Sequence, residues 1–277
     1  MPQTINTNVQ SLNAQRNLNS SQTSLATSMQ RLSSGLRVNS AKDDAAGLAI
    51  AERMNTQVRG MNVAVRNAND GISLAQVAEG AIGKVADMMQ RMRELAVQSA
   101  NATNGVDDRL NLDAEYQQLA EEVIRTIAGS KFNGLAILGA DAAIGTFTFQ
   151  VGANSGDTVD IAVTDLSVDA DIAAVTGGDI TDVAGSEAAM DDIDTALNVI
   201  NSQRAVYGAA QNRFEAIIGT LQVAAENQAA ARGRIMDADF AAETSNLSRA
   251  QILQQAGTAM VAQANALPQQ VLALLQR

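Results

Sequence analysis

The sequence predicts a mainly α-helical chain: a long antiparallel bundle or coiled coil with a small β-hairpin region in the middle. Three observations carry this. Apolar residues recur at alternating spacings of three and four over two long stretches. The only prolines in 277 residues are Pro2 and Pro268, so nothing breaks the chain between them. A short middle segment switches to a period of two.

The first stretch runs through Val58, Met61, Val65, Ala68, Ile72, Ala75, Glu79, Ile82, Ala86, Met89, Arg93 and Ala96. Asn101–Asp108 reads as a turn, and Leu112, Tyr116, Leu119 and Val123 restart the pattern in a shorter helix. Gly129-Ser-Lys-Phe-Asn-Gly134 then breaks it. Phe147, Phe149 and Val151, then Val159, Ile161 and Val163, alternate with smaller or polar residues around a Gly- and Asn-rich loop, which is a β-hairpin pattern. Ser167–Gly185, rich in Asp and Gly, reads as loop. From Met190 through Ile193, Leu197, Ile200, Tyr207, Phe214, Ile218 and Leu221 to Gln228 the heptad returns, and the Val58–Ala96 helix is its natural antiparallel partner.

Composition excludes most chemistry. The chain has no Cys and no His, which removes disulfides, thiolate nucleophiles, the usual zinc sites and His-based catalysis. Asp191 with Asp192, and Glu121 with Glu122, are adjacent in sequence and so do not face each other on a helix. No Gly-rich phosphate loop accompanies them, and the EF-hand calcium spacing is missing. The expectation is a non-enzyme with no cofactor and no metal.

Formal net charge is −11. Twelve of the 30 acidic residues lie between Asp141 and Asp194, where there is no Lys or Arg; the remaining 18 face 19 basic residues elsewhere. An acidic middle argues against nucleic-acid binding and for a solvated outer surface. No stretch approaches the roughly 18 apolar residues of a membrane span, and residues 1–30 show no cleaved export signal. Targeting rules alone therefore place the protein in the cytoplasm.

The extremities differ from the rest. Residues 1–30 carry one charged side chain, Arg16, and residues 245–276 carry one, Arg249. Both ends are rich in Gln, Asn, Ser and Ala, with sparse apolar seams: Ile5, Val9, Leu12, Leu18, Leu25, Met29, Leu32 and Leu36 at the start, and Leu253, Met260, Ala264, Leu267, Val271 and Leu274 at the finish. A helix facing bulk water normally carries Glu, Lys and Arg on its outer side. Uncharged amides are far less costly to bury than charges, so these faces suit a polymer core built from copies of the chain. In a lone subunit each seam is too thin to offset chain entropy, which predicts mobile ends. A surface-active membrane helix is disfavoured, because the expected Lys/Arg-rich polar face is missing.

Several long blocks resemble bacterial flagellins: Arg31-Leu-Ser-Ser-Gly-Leu-Arg-Val-Asn-Ser-Ala-Lys-Asp-Asp-Ala-Ala-Gly47, Arg66-Asn-Ala-Asn-Asp-Gly-Ile-Ser73, Gln90-Arg-Met-Arg-Glu-Leu-Ala-Val-Gln-Ser-Ala-Asn101, Lys131-Phe-Asn-Gly134, Ser248-Arg-Ala-Gln-Ile-Leu-Gln-Gln-Ala-Gly257 and Ala264-Asn-Ala-Leu-Pro-Gln-Gln-Val-Leu272. Within the first block, Ser40 and Asp43 read as a capping box that starts a helix, with Asp44 favourably placed at its positive end. A hook–filament junction protein, which shares similar end helices, is the nearest rival; the intact first and last blocks favour the filament subunit.

The resemblance implies a two-layer subunit without large outer domains. Residues 1–43 and 236–277 would be inner-tube helices, the two ends pairing as an inner coiled coil. Residues 44–140 and 187–235 would supply the helices of an outer-tube domain, and residues 141–186 its hairpin and acidic loop. It implies self-polymerisation into a swimming filament, and export through the flagellar channel, which moves the expected location from cytoplasm to the cell exterior. Implied partners are copies of the chain, the cap and hook-junction proteins, an export chaperone at the C-terminal end, and the host flagellin-sensing Toll-like receptor, with no nucleic acid and no membrane insertion. For the receptor, Gln90, Arg91, Glu94, Leu95 and Glu115 occupy the matching positions; Arg91 and Leu95 lie four apart, which places a cation beside an apolar knob.

Overall fold

A computed structural model describes residues 7–275. The order of elements is α1 (Val9–Ser34), α2 (Ala45–Ser99), α3 (Val106–Gly129), β1 (Lys131–Phe132), β2 (Leu135–Ala136), a 3-10 turn (Ala140–Ile144), β3 (Thr146–Gln150), β4 (Thr158–Ala162), α4 (Ala170–Gly177), α5 (Val183–Met236) and α6 (Phe240–Leu275). The expected class, helical with a small β region, is the observed one. The chain divides into two compact units, one of Met1–Thr56 with Asn227–Arg277, the other of Gln57–Glu226, and the division falls inside α2 and α5.

In the second unit α2 and α5 run antiparallel, as rising positions on one meet falling positions on the other. Phe214 packs where Gly71 leaves room, Gln211 donates to Glu79 at 2.9 Å, and Arg93 donates to both Asp194 oxygens at 2.7 and 3.0 Å. The buried face of α2 is wider than a single heptad seam. Besides Met61, Ala68, Ala75, Ile82, Ala86, Met89 and Ala96 it hides Leu74, Ala78, Val85, Met92 and Leu95. α2 therefore packs on two sides, with Glu79 and Arg93 only half-hidden at the margins. A helix apolar over more than one stripe is the signature of that situation.

α3 contributes Tyr116, Ala120, Val123 and Ile127, spaced four, three and four apart and all buried. Its polar residues fasten the segment read from sequence as loop. Tyr116 donates to the Val175 carbonyl at 2.8 Å, Gln117 to the Gly178 carbonyl at 2.9 Å, and Asp113 accepts from the Ile180 amide at 3.0 Å. The loop expectation for Ser167–Gly185 is corrected here: α4 occupies part of it, and α5 begins at Val183. Asp169 caps α4 through the Asp171 and Ile172 amides, and Ile172, Val175 and Ile180 enter the core. Asp and Gly dominate the composition, but three apolar residues are enough to anchor the segment.

Burial pushes the Tyr116 phenol up to about 12, with Asp192, Asp113 and Asp179 adding to it, and burial alone does the same for Tyr207. A tyrosine with a raised folded-state pKa contributes stability that is complete below its unfolded value, about 10, and lost as pH rises through the folded one. Tyrosinate absorbance should therefore appear near pH 12 together with loss of helix. Titration of both tyrosines at ordinary pH with helicity retained would contradict this.

The middle holds two hairpins. β3 and β4 pair as expected, with Phe147 opposite Ile161 and Phe149 opposite Val159. Phe149 meets Phe214 edge-on, 5.4 Å between ring centres, and Asn67 of α2 donates to the Gln150 carbonyl at 2.9 Å. The break at Lys131–Gly134 is itself a two-residue hairpin, β1 with β2. Asn133 (φ 49°) and Gly134 (φ 86°) both take left-handed conformations, as a type I′ turn requires.

In the first unit α1 ends on Gly35 at φ 70°, and Asp239 caps α6 through the Ala241 and Ala242 amides. Backbone bonds join the turns: Arg37 N–H donates to the Met236 carbonyl at 2.7 Å and Ala238 N–H to Gly35 at 2.9 Å. Val38, Ala51 and Met236 form a small separate core. The capping box is also corrected. Asp43 accepts from the Ser40 hydroxyl and from the Ser40 and Asn39 amides, contacts that hold its carboxyl below the ordinary carboxylate range. That closes a turn rather than starting a helix. α2 begins only at Ala45, and Asp44 is its cap, accepting from the Gly47 amide at 2.8 Å.

Candidate polymerisation interface

α1 and α6 lie side by side and antiparallel. Asn8 donates to the Ala264 carbonyl at 2.7 Å, the Ser11 hydroxyl bonds the Asn265 side chain at 2.7 Å, and Leu18 packs on Gly257. Further along, Arg31 approaches the buried Glu243 at 4.0 Å, and Leu36 bridges Asp237. With exceptions at the margin such as Thr27 and Arg31, the covered positions keep a three-four rhythm. On α1 they are Ser11, Ala14, Leu18, Ser21, Leu25, Ser28, Leu32 and Gly35; on α6 they are Glu243, Leu247, Ala250, Gln254, Gly257, Val261 and Ala264. Leucine knobs on α1 alternate with small residues, and every seventh residue of α6 from Ala250 to Ala264 is Ala or Gly. A methyl added at Gly257 would come within 3.1 Å of Leu18. The pairing is close because one side of it is small.

This seam is not the one the largest apolar residues suggest. Leu18, Leu25, Leu32 and Ala264 belong to it. Val9 and Leu12 lie outside it, 62% and 52% exposed, as do Leu253 and Met260, 50% and 62% exposed. Ile5 lies outside the described residues, and so do the side chains of Leu267, Val271 and Leu274. Ile252 and Met29 are also more than half exposed. Val9, Leu253 and Met260 line one groove along the pair together with Asn13, Leu18 and Gly257. Ranking positions by size found the leucines and Ala264, took in Val9, Leu12, Leu253 and Met260, and passed over Ala250 and Gly257. The signal that could have found those two is the seven-residue recurrence of Ala250, Gly257 and Ala264.

The polar surface of α1 has a second property. The hydroxyls of Ser21, Thr23, Ser24 and Thr27 donate to carbonyls four residues back, of Asn17, Asn19, Ser20 and Thr23, at 2.9–3.1 Å. These donors are satisfied within their own helix, so covering them strands little hydrogen-bonding capacity.

On the second unit Arg91 holds a carboxylate network, donating to Glu115 at 2.9 and 3.0 Å and to Glu94 at 2.9 Å. Those contacts raise an already high guanidinium pKa, the bond to Glu94 first and then that to Glu115. Gln90, Arg91, Glu94 and Glu115 are exposed, whereas Leu95 is 1% exposed. The expected apolar knob beside the cation is therefore corrected. Leu95 lies on the stripe of Met92, Ala96 and Ser99, which faces the core.

Among the described residues no cluster of three or more carboxylates could hold a metal ion, and no helix is long and apolar enough to cross a membrane.

Comparison with known proteins settles the family. The bacterial flagellin N-terminal helical region matches residues 5–142 and the bacterial flagellin C-terminal helical region matches residues 190–275. The chain belongs to the bacterial flagellin family. This flagellin is 46% identical over 272 residues to the flagellin of Halalkalibacterium halodurans, covering 98% of this chain and 99% of that one. It is 40% identical over 284 residues to the flagellar filament 33 kDa core protein of Treponema phagedenis, with 98% and 99% covered. The crystal structure of Bacillus cereus flagellin matches with a TM-score of 0.50 and 32% identity, over 56% of this chain and 88% of that one. These lengths agree with a short flagellin that lacks large outer domains, and the family makes it a structural subunit of the flagellar filament.

Proposed function

We propose that the chain assembles into the swimming filament by burying the outward apolar residues of α1 and α6 against neighbouring copies. The observation that carries this is the surface of the terminal pair. Val9, Leu12, Ile252, Leu253 and Met260 are exposed on helices that have almost no charge, and the α1 hydroxyls are already bonded. A surface of this kind gains from being covered and loses little. On this reading residues 1–43 and 236–277 build the inner tube and residues 44–235 the outer tube, with the acidic middle facing solvent. The subunit works outside the cell, exported through the flagellar channel without a cleaved signal. Its partners there are copies of itself, the cap and hook-junction proteins and, at the C-terminal end, an export chaperone. Electron microscopy of the purified protein, seeded with fragments and induced to polymerise, should show long tubes. Short or absent assemblies under those conditions would overturn the reading.

We infer further that the host flagellin-sensing Toll-like receptor reads the exposed polar surface of Gln90, Arg91, Glu94 and Glu115. Arg is a frequent interface anchor, and here three hydrogen bonds to carboxylates hold its fork in place. Arg91→Ala should cut activation of receptor-bearing reporter cells about tenfold or more. It should leave the melting temperature close to that of the wild type, because the pairs are exposed. Leu95→Ala acts differently, destabilising the fold by about 2–5 kcal/mol through a core cavity. Unchanged activation by Arg91→Ala would remove the proposal.

A further inference from the structure

The ten methionines of this chain are not equivalent. Met61, Met89, Met92 and Met236 are buried at 9% exposure or less, and Met54, Met88 and Met190 are half-buried. Only two among the described residues are largely open, Met29 at 56% and Met260 at 62%. Both lie on the terminal helices, and Met260 shares a groove with Val9 and Leu253. Among the described residues, the two thioethers most accessible to an oxidant thus sit on the surface that assembly is to cover.

We propose that Met29 and Met260 are oxidation sites that gate assembly: their sulfoxides make a folded subunit unable to join the polymer, and polymerisation shields both. The inference rests on the polymerisation reading above. The chemistry is an oxygen transfer from a peroxide. The thioether sulfur attacks one peroxide oxygen, the O–O bond breaks, an S=O bond forms, and hydrogen peroxide leaves as water; sulfur is oxidised and the peroxide reduced. The product exchanges a flexible apolar side chain for a polar one, and a sulfoxide reductase can reverse it. Buried without a donor, that new oxygen opposes the contact it interrupts. In the free subunit both sulfoxides face water, so the fold is not expected to change.

The test treats folded monomer with hydrogen peroxide, maps sulfoxides by peptide mass spectrometry, and measures the critical concentration for seeded polymerisation. Sulfoxide should form at Met29 and Met260 before the buried methionines, and the critical concentration should rise about tenfold or more. Reductase treatment should reverse the rise. Assembled filament exposed to the same peroxide should keep both residues reduced. The variant Met29→Leu with Met260→Leu keeps apolar volume and offers no sulfur, so it should polymerise equally well before and after peroxide. Oxidised wild type that polymerises normally, or a Leu variant that loses assembly on peroxide treatment as wild type does, would overturn the proposal. If the untreated Leu variant assembles poorly, reductase rescue of oxidised wild type decides instead: recovery supports the gate and no recovery rejects it. Failure of untreated wild type to polymerise would instead strike the polymerisation reading itself.

Discussion

Replacing Leu253 and Met260 together by Asp should abolish filament formation while leaving the monomer folded. Both side chains are at least half exposed and on the open margin of the α1–α6 seam, so the substitutions disturb few contacts within the subunit. Surface changes of that kind ordinarily fall within about 0.5 kcal/mol. In the assembly the same positions are to be covered by apolar neighbours. Two unpaired carboxylates there cost several kcal/mol, enough to raise the critical concentration by orders of magnitude. The measurement is sedimentation of seeded polymer against protein concentration, with far-ultraviolet circular dichroism of the monomer as the control for folding. The conservative pair Leu253→Ile and Met260→Leu should assemble. Normal filaments from the Asp variant would mean that this face stays in water after assembly.

The largest stability effect is expected at Phe214. Its ring is fully buried, meets Phe149 edge-on at 5.4 Å, and sits against Gly71 of α2, so one side chain joins the hairpin to both long helices of its unit. Phe214→Ala should cost about 3–5 kcal/mol through lost burial and the cavity left behind. That lowers the melting temperature on the order of 10 °C for a unit of this size. Gly71→Ala should act in the opposite geometric sense. The added methyl would stand 2.7 Å from the Phe214 ring, an overpacking worth about 1–3 kcal/mol. If Phe214→Ala melted at the wild-type temperature, the ring would not be the keystone described here.

Much of this architecture was legible in the residues. Long three-four patterns without proline place α2 and α5, and strict alternation at Phe147–Val163 places β3 and β4. The misses share a physical cause, which is that apolar size is an incomplete guide to what is buried. Leu253 and Met260 are large and lie outside, while Ala250 and Gly257 are small and lie within, because two helices approach most closely where side chains are small. Leu95 beside Arg91 looked like a surface pair, yet four residues overshoot one helical turn by about 40°, enough to carry Leu95 from the exposed margin onto the core stripe. Ile172, Val175 and Ile180 were masked by an acidic composition. The helix start moved from Ser40 to Asp44 because two acidic residues in succession each offer a cap, and only the second has a continuous helix behind it.

The returned hydroxyls of α1 have one more consequence. Ser21, Thr23, Ser24 and Thr27 have already given their donors to their own helix, so along that stretch a neighbour meets shape rather than direction. If copies pack there as proposed, they would slip along that stretch by part of a helical turn without breaking a hydroxyl bond that must then be remade. Contacts of that kind let a long polymer curve and be twisted under load while every joint stays closed.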